Sequence, residues 1–361
     1  MMTPSPVAFA GHCPACGKVA GPASSRPAGA RNGVGRTPLR HRSRACGSVQ
    51  PVAALVLVMA PLAAARAHTL SADATGVPDI GWTFEPWVVV LLVVTLGLYL
   101  AGYLRLRARS RRARGFRLRQ FGAFVLGWAM TVLALVSPLD ALGAALFSAH
   151  MVQHEVLMLL AAPLLVLGRP LAVWMWALPS SWRPAIGHGL HAPGVRGSWR
   201  WMTSPSVAWA FHALALWAWH APPLFEAALT RPGIHTLQHA SFFVSALFFW
   251  WTVLPGRRGH TGDGHAMLSV FTTMLHTGAL GALLTLAPGL WYPIYVTPTT
   301  ALGFDPLQDQ QLGGLIMWVP GGLAYFLAGL AIALRYVLDR RTPALAAGHA
   351  VPLARSARGS R

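Results

Sequence analysis

Acidic side chains are scarce in this 361-residue chain: ten Asp and Glu stand against 29 Lys and Arg, and Lys18 is the single lysine. Charged residues amount to 11% and hydrophobic ones to 54%, where a soluble domain carries about 25% charged residues. That shortage of charge excludes an ordinary soluble domain. Cysteine is also rare. Cys13, Cys16 and Cys46 all fall in the first 50 residues, so the rest of the chain has no disulfide and no thiolate metal site. Cys13-Pro-Ala-Cys16 has the spacing of a metal or redox pair, but it lacks a second pair and sits in a Gly/Pro/Arg/Ser-rich stretch that reads as disordered. No Walker A, G-x-S-x-G or Rossmann glycine pattern falls in a suitable place. His154-Glu155 opens like H-E-x-x-H, yet Met158 stands where the second histidine belongs. With no nucleophile–base pair to point to, the chain is expected not to be an enzyme.

Long apolar runs are abundant. Residues 51–65 (PVAALVLVMAPLAAA) follow an Arg-rich stretch and precede Ala65-Arg66-Ala67. Basic, apolar, then small residues is the order of a signal peptide. Cleavage after Ala67 makes His68 the first mature residue; an uncleaved anchor is the alternative. Seven more runs follow, at about 86–104, 120–138, 142–167, 205–221, 234–254, 265–287 and 312–338. Each is long enough to cross a bilayer as a helix, and only a helix satisfies the backbone of a lone segment in lipid. Pro163 and Pro320 lie within spans and are expected to kink them. The expected fold is all-α, a polytopic membrane bundle of seven transmembrane helices after a signal-like segment. Residues 1–67 form the leader, 68–340 the membrane domain and 341–361 a basic tail.

The arginines sort by loop. Eight lie between the first two runs, from Arg105 to Arg119; Arg169, Arg183, Arg196 and Arg200 lie between the third and fourth; Arg257 and Arg258 follow the fifth; six more run from Arg335 to Arg361. The intervening loops hold Arg231 alone, with Asp73, Asp79, Glu85, Asp140, Glu226, Asp305 and Asp309. The positive-inside rule then puts the mature N-terminus outside and the C-terminus in the cytoplasm. This pattern accounts for the formal charge of +19 without nucleic acid as a partner. Arg105, Arg107, Arg109, Arg111, Arg112 and Arg114 are expected to lie against anionic headgroups.

Polar residues inside a membrane are costly and face the bundle interior. At a rise of 1.5 Å per residue, His150 lies about 12 Å and His154 about 18 Å inside the outer surface. The two are four apart, hence on one helix face, and Met158 continues it. His235 and His239 are likewise four apart near the outer end of the fifth span, His220 closes the fourth, and His276 sits within the sixth near Met274. Imidazole ligates copper, zinc, iron and nickel, and thioether favours Cu(I). Histidine also serves as interhelical hydrogen-bond glue, which is the simpler reading for His212. Glu155 can accept a ring proton from His154. Asp305, Asp309, Gln310 and Gln311 cluster before the seventh span. They either cap that helix, with Asp309 near its start, or place oxygen atoms at the mouth of the histidine cluster.

Four blocks, FSAHMVQHEVLMLLAAPLLVLGRP (147–170), WAWHAPPLFEAAL (217–229), HTLQHASFFVSALFFWW (235–251) and DQQLGGLIMWVPGG (309–322), together resemble the seven-span CtaG-type cytochrome c oxidase assembly factors of bacteria. The resemblance covers roughly residues 80–340. It implies a multi-pass protein of the bacterial inner membrane that helps assemble a haem-copper oxidase and is tied to copper supply. Oxidase subunits or other copper chaperones are the implied partners, besides the lipid bilayer. Carried over by block, the positions of interest are His150, Met151 and His154, then His220, then His235 and His239, then Asp309-Gln310-Gln311. Competing readings are a b-type haem electron-transfer protein, a metal-free scaffold, and a copper importer. The importer needs a polar path through the inner half, which offers only His212 and little else.

Overall fold

The computed structural model describes residues 80–109, 114–254 and 260–348. The leader, the Cys13–Cys16 pair, His68, Arg111, Arg112, Arg257 and Arg258 lie outside them, as do the last 13 residues of the tail. Among the described residues there are helices and no strands.

Helices α1 (Pro86–Arg109) and α2 (Arg114–Leu135) form an antiparallel pair. The run expected at 142–167 is divided. Helix α3 (Pro138–Ala145) starts under a Ser137 cap and stops at Leu146, whose backbone is extended, and α4 (Phe147–Gly168) restarts at once. Short helices α5 (Pro170–Ala177), α6 (Arg183–Leu190) and α7 (Pro193–Met202) follow. Next come α8 (Pro205–His220), α9 (Pro222–Thr230), α10 (Pro232–Val253) and α11 (His260–Thr285). After α12 (Val296–Ala301), α13 comprises Pro306–Ile316, a π-turn at Met317–Gly321 and Gly322–Gly348, so it runs past the expected end of the seventh span.

Among the described residues, five helices are long and apolar enough to cross a membrane: α1, α2 from Arg117, α4, α11 from Gly264, and α13 from Pro306 to Leu338. The runs expected at 205–221 and 234–254 are helices as well. However, α8 has only 16 residues, about 24 Å. Helix α10 has 22 but carries His235, Gln238, His239, Ser241 and Ser245.

Pro163 and Pro320 do more than bend their helices. A π-turn, Val156–Ala161, lies directly before Pro163, and Pro320 sits inside Met317–Gly321. A proline ring clashes with the carbonyl four residues back, and widening the turn relieves that clash. The exterior is apolar: Val93, Leu133, Leu283, Leu330 and Leu334 are all exposed. Polar groups are inside, with Gln153, His154, Gln238, Ser245, Thr273 and Thr299 fully buried.

Candidate functional site

Helix α4 supplies the first two imidazoles, and its start is held by a group from far along the chain. The Phe147 amide donates to Asp309 Oδ2 at 2.6 Å, and both the Ser148 amide and hydroxyl donate to the same carboxylate. Asp309 therefore caps α4, while the cap of α13 is Asp305, which accepts from the Gln308 amide at 2.8 Å. Helix α8 ends at His220 because Ala221 is extended before Pro222 and Pro223. Helix α10 presents His235 and His239 one turn apart.

These three helices bring five imidazoles together. Ring centroids are 4.3 Å apart for His150–His154, 5.8 Å for His150–His235, 5.6 Å for His150–His239 and 4.2 Å for His235–His239. His154 lies 5.1 Å from His239 and 6.5 Å from His220. One nitrogen from each of His150, His235 and His239 lies within 4.8 Å of the others. His235 is half-buried and forms the mouth, whereas His150, His154 and His220 are almost fully enclosed.

Hydrogen bonds decide two tautomers. His150 Nδ1 lies 3.2 Å from the Gly143 carbonyl and His220 Nδ1 lies 2.7 Å from the Leu216 carbonyl. A carbonyl only accepts, so each Nδ1 carries the proton and each Nε2 keeps a lone pair. Those two Nε2 atoms are buried without a hydrogen-bond partner, as are His239 Nε2 and both ring nitrogens of His154. Buried polar atoms in proteins are almost always paired, and an unpaired one costs about 1–3 kcal/mol. So many orphans converging in one place fit a cation-binding pocket of neutral nitrogen donors.

Sequence reasoning missed the wall of this pocket. Gln153 donates to Asp140 Oδ1 and to the Ala134 carbonyl, both at 2.7 Å. Asp140 in turn interacts electrostatically with His235 at the mouth. Phe225 and Phe242 close the other sides, 5.2 Å from His150 and 4.5 Å from His154.

The remaining expected positions lie elsewhere. Met151 packs with Phe147, Phe225, Tyr292 and Met317. Met158 does not continue the His150–His154 face, because the π-turn shifts the register after Glu155. It packs with Leu216, Phe249 and Trp250, and its carbonyl accepts from Trp250 Nε1. His276 sits 6.0 Å from the Trp209 ring and interacts with His212 rather than with the five. Gln310 binds the Trp291 amide and the Gly289 carbonyl, and Gln311 the Ala287 carbonyl, so both tie down the loop before α12. The Glu155 carboxylate abuts Gly321, with Oε2 shielded and unpartnered. Away from the five, His212 links Ser245 at 3.1 Å to Tyr325 at 3.3 Å, so that part of the bundle is more polar than the sequence alone suggests.

The basic stretch is mixed. Arg105 donates to the carbonyls of Trp176, Ala177 and Leu178, closing the end of α5. Arg109 lies over the Trp176 ring, and Arg107 is exposed. Arg114 opens α2.

The profile of the cytochrome c oxidase caa3 assembly factors (Caa3_CtaG) matches residues 97–338. Uncharacterized proteins of Mycobacterium bovis and Mycobacterium tuberculosis are each 26% identical over 282 residues, 74% of this chain and 41% of theirs. One of Mycobacterium leprae is 26% identical over 250 residues, 66% of this chain and 36% of its own. The chain thus spans about two fifths of the length of these relatives. No solved structure matches. The family profile takes in α4, α8, α10 and the capping end of α13, and this chain belongs to the cytochrome c oxidase caa3 assembly factor family.

Proposed function

We propose that the protein is a multi-pass accessory factor of the bacterial inner membrane that holds Cu(I) in its histidine cluster for a cytochrome c oxidase under assembly. The single observation that carries the reading is the set of orphaned, buried imidazole nitrogens on α4, α8 and α10. An ion about 2 Å from each of three nitrogens in one plane sets ring centroids roughly 5 Å apart. The 5.8, 5.6 and 4.2 Å separations among His150, His235 and His239 bracket that value.

Charge favours the monovalent ion. Desolvation cost rises with the square of charge, the imidazole ligands are neutral, and the single carboxylate in the pocket wall, Asp140, offsets one positive charge rather than two. Imidazole is the donor on this reading, because one nitrogen from each of three histidines lies within 4.8 Å of the others, whereas Met151 and Met158 are held in apolar clusters. Phe225 and Phe242 pack directly against the imidazoles, 5.2 Å from His150 and 4.5 Å from His154, which favours a bare ion over haem. Oxidase subunits and copper chaperones are the proposed partners.

The test is copper analysis of the detergent-solubilised protein after loading with Cu(I), beside His150→Ala/His239→Ala, with oxidase copper content measured in the producing cells. Bound copper that the double variant loses, together with a copper-poor oxidase, supports the reading. A wild-type protein that binds no copper but still promotes oxidase assembly sinks it and leaves a metal-free scaffold.

A further inference from the structure

We infer that the cluster holds two metal stations in series rather than one: an outer three-histidine station of His150, His235 and His239, and an inner two-histidine station of His154 and His220. The inference rests on the copper reading and deepens it.

Five imidazoles exceed what one Cu(I) ion of two or three ligands needs, and their spacing divides them. Two imidazoles on opposite sides of an ion, each about 2 Å from it, have centroids roughly 6 Å apart. His154 and His220 are 6.5 Å apart, wider than any pair in the outer group. His220 is prepared to bind from one atom alone. Its Nδ1–H is committed to the Leu216 carbonyl, leaving the buried Nε2 with a free lone pair. His154 has neither nitrogen engaged. A fully buried imidazole without a partner at either nitrogen has no structural task to explain it.

Exposure marks the outer entrance: His235 at the mouth is half-buried and His239 is 7% exposed, whereas His150, the innermost of the outer three, is as enclosed at 1% as His154 and His220 at 1% and 2%. His154 is also the connecting ligand, 4.3 Å from His150 and 5.1 Å from His239 by centroid. An ion can therefore pass inward by gaining His154 before releasing an outer imidazole. No step leaves it without a nitrogen donor, and neither its charge nor its oxidation state changes. Phe242 lies against both His154 and His220, at 4.5 and 6.0 Å, which keeps water from the inner station.

The experiment is titration of the full-length detergent-solubilised protein with Cu(I) supplied as its bicinchoninate complex, with copper per chain read out for wild type, His220→Ala and His235→Ala. The expected result is two copper ions in wild type and one in each variant, with X-ray absorption of His235→Ala showing two short nitrogen ligands. The His220 side chain bonds only within its own helix, and unfolding temperature checks that its variant folds. His154→Ala is the second variant and also leaves one ion. One copper in wild type, kept by His220→Ala, overturns the inner station and leaves the carrier reading standing. No copper in any form overturns both.

Discussion

Asp309 shows how much of the site depends on a residue that touches no imidazole. Its carboxylate accepts from two amides and one hydroxyl at the start of α4, so it satisfies backbone donors that the helix cannot satisfy itself. Losing an N-cap costs about 0.5–2 kcal/mol, and burial raises that toward 3 kcal/mol by leaving donors unpaired. Asp309→Ala is expected to lower the unfolding temperature in detergent and to weaken copper binding, because His150 lies one turn inside the capped end. Asp309→Asn, which keeps an acceptor oxygen, should lose less in both measurements. A variant as stable and as copper-replete as wild type would mean that α4 is positioned by packing alone. In the sequence, Asp309 stands where a cap for its own helix is expected. Asp305 already fills that place, and nothing local in DQQLGG names a helix start 162 residues earlier. The histidines were legible because i, i+4 spacing is a local geometric fact. Asp140 and Gln153 were not, since their part arises from α3 folding back beside α4.

At the scale of elements, helix positions followed from apolar runs and their Pro and Gly boundaries. What went unread was how helices deform and approach each other. The two π-turns fall beside Pro163 and Pro320, and the first removes Met158 from the histidine face. Close approach of α11 to α13 depends on glycine. A Cβ on Gly281 would lie 2.8 Å from the Gly314 carbonyl oxygen, and one on Gly314 would lie 2.6 Å from the Thr285 amide. Both obstacles are backbone, which cannot rotate aside. Gly281→Ala and Gly314→Ala are each expected to destabilise by about 1–3 kcal/mol, the usual cost of overpacking. Gly278→Ala meets only the Trp318 ring at 3.6 Å and should be neutral or slightly stabilising, since Ala favours helix over Gly. Thermal unfolding in one detergent ranks the three. Equal effects would show that the α11–α13 contact is loose.

At the scale of the whole molecule, the open question is whether α8 and α10 cross the bilayer. Length and hydropathy select five helices and pass over these two, yet α8 makes contacts along the depth of the bundle. His212, in its first half, bonds Tyr325 midway along α13, while the His220 carbonyl accepts from Tyr292 in the loop after α11. Those two contacts lie about 12 Å apart along α8, so this helix runs inside the bundle from the mid-level of α13 to the loop after α11. Its neighbour α10 returns alongside it, and polar site residues reduce the very hydropathy by which a span is recognised. The arginine pattern agrees, with Glu226 on α9 between loops rich in arginine. Five crossings and seven give the same sidedness at both ends of the chain, so only α9 separates them. Thr230, at the exposed end of α9, is the reporter. Because cysteine is confined to positions 13, 16 and 46, Thr230→Cys with those three changed to Ser is a single-cysteine protein. An impermeant maleimide should label it on intact spheroplasts, whereas Arg196→Cys in the same background should need permeabilised membranes. Protection of both would leave α8 through α10 on the cytoplasmic side. The histidines of α8 and α10 would then be offered to the cytoplasm, and copper would have to come from inside the cell.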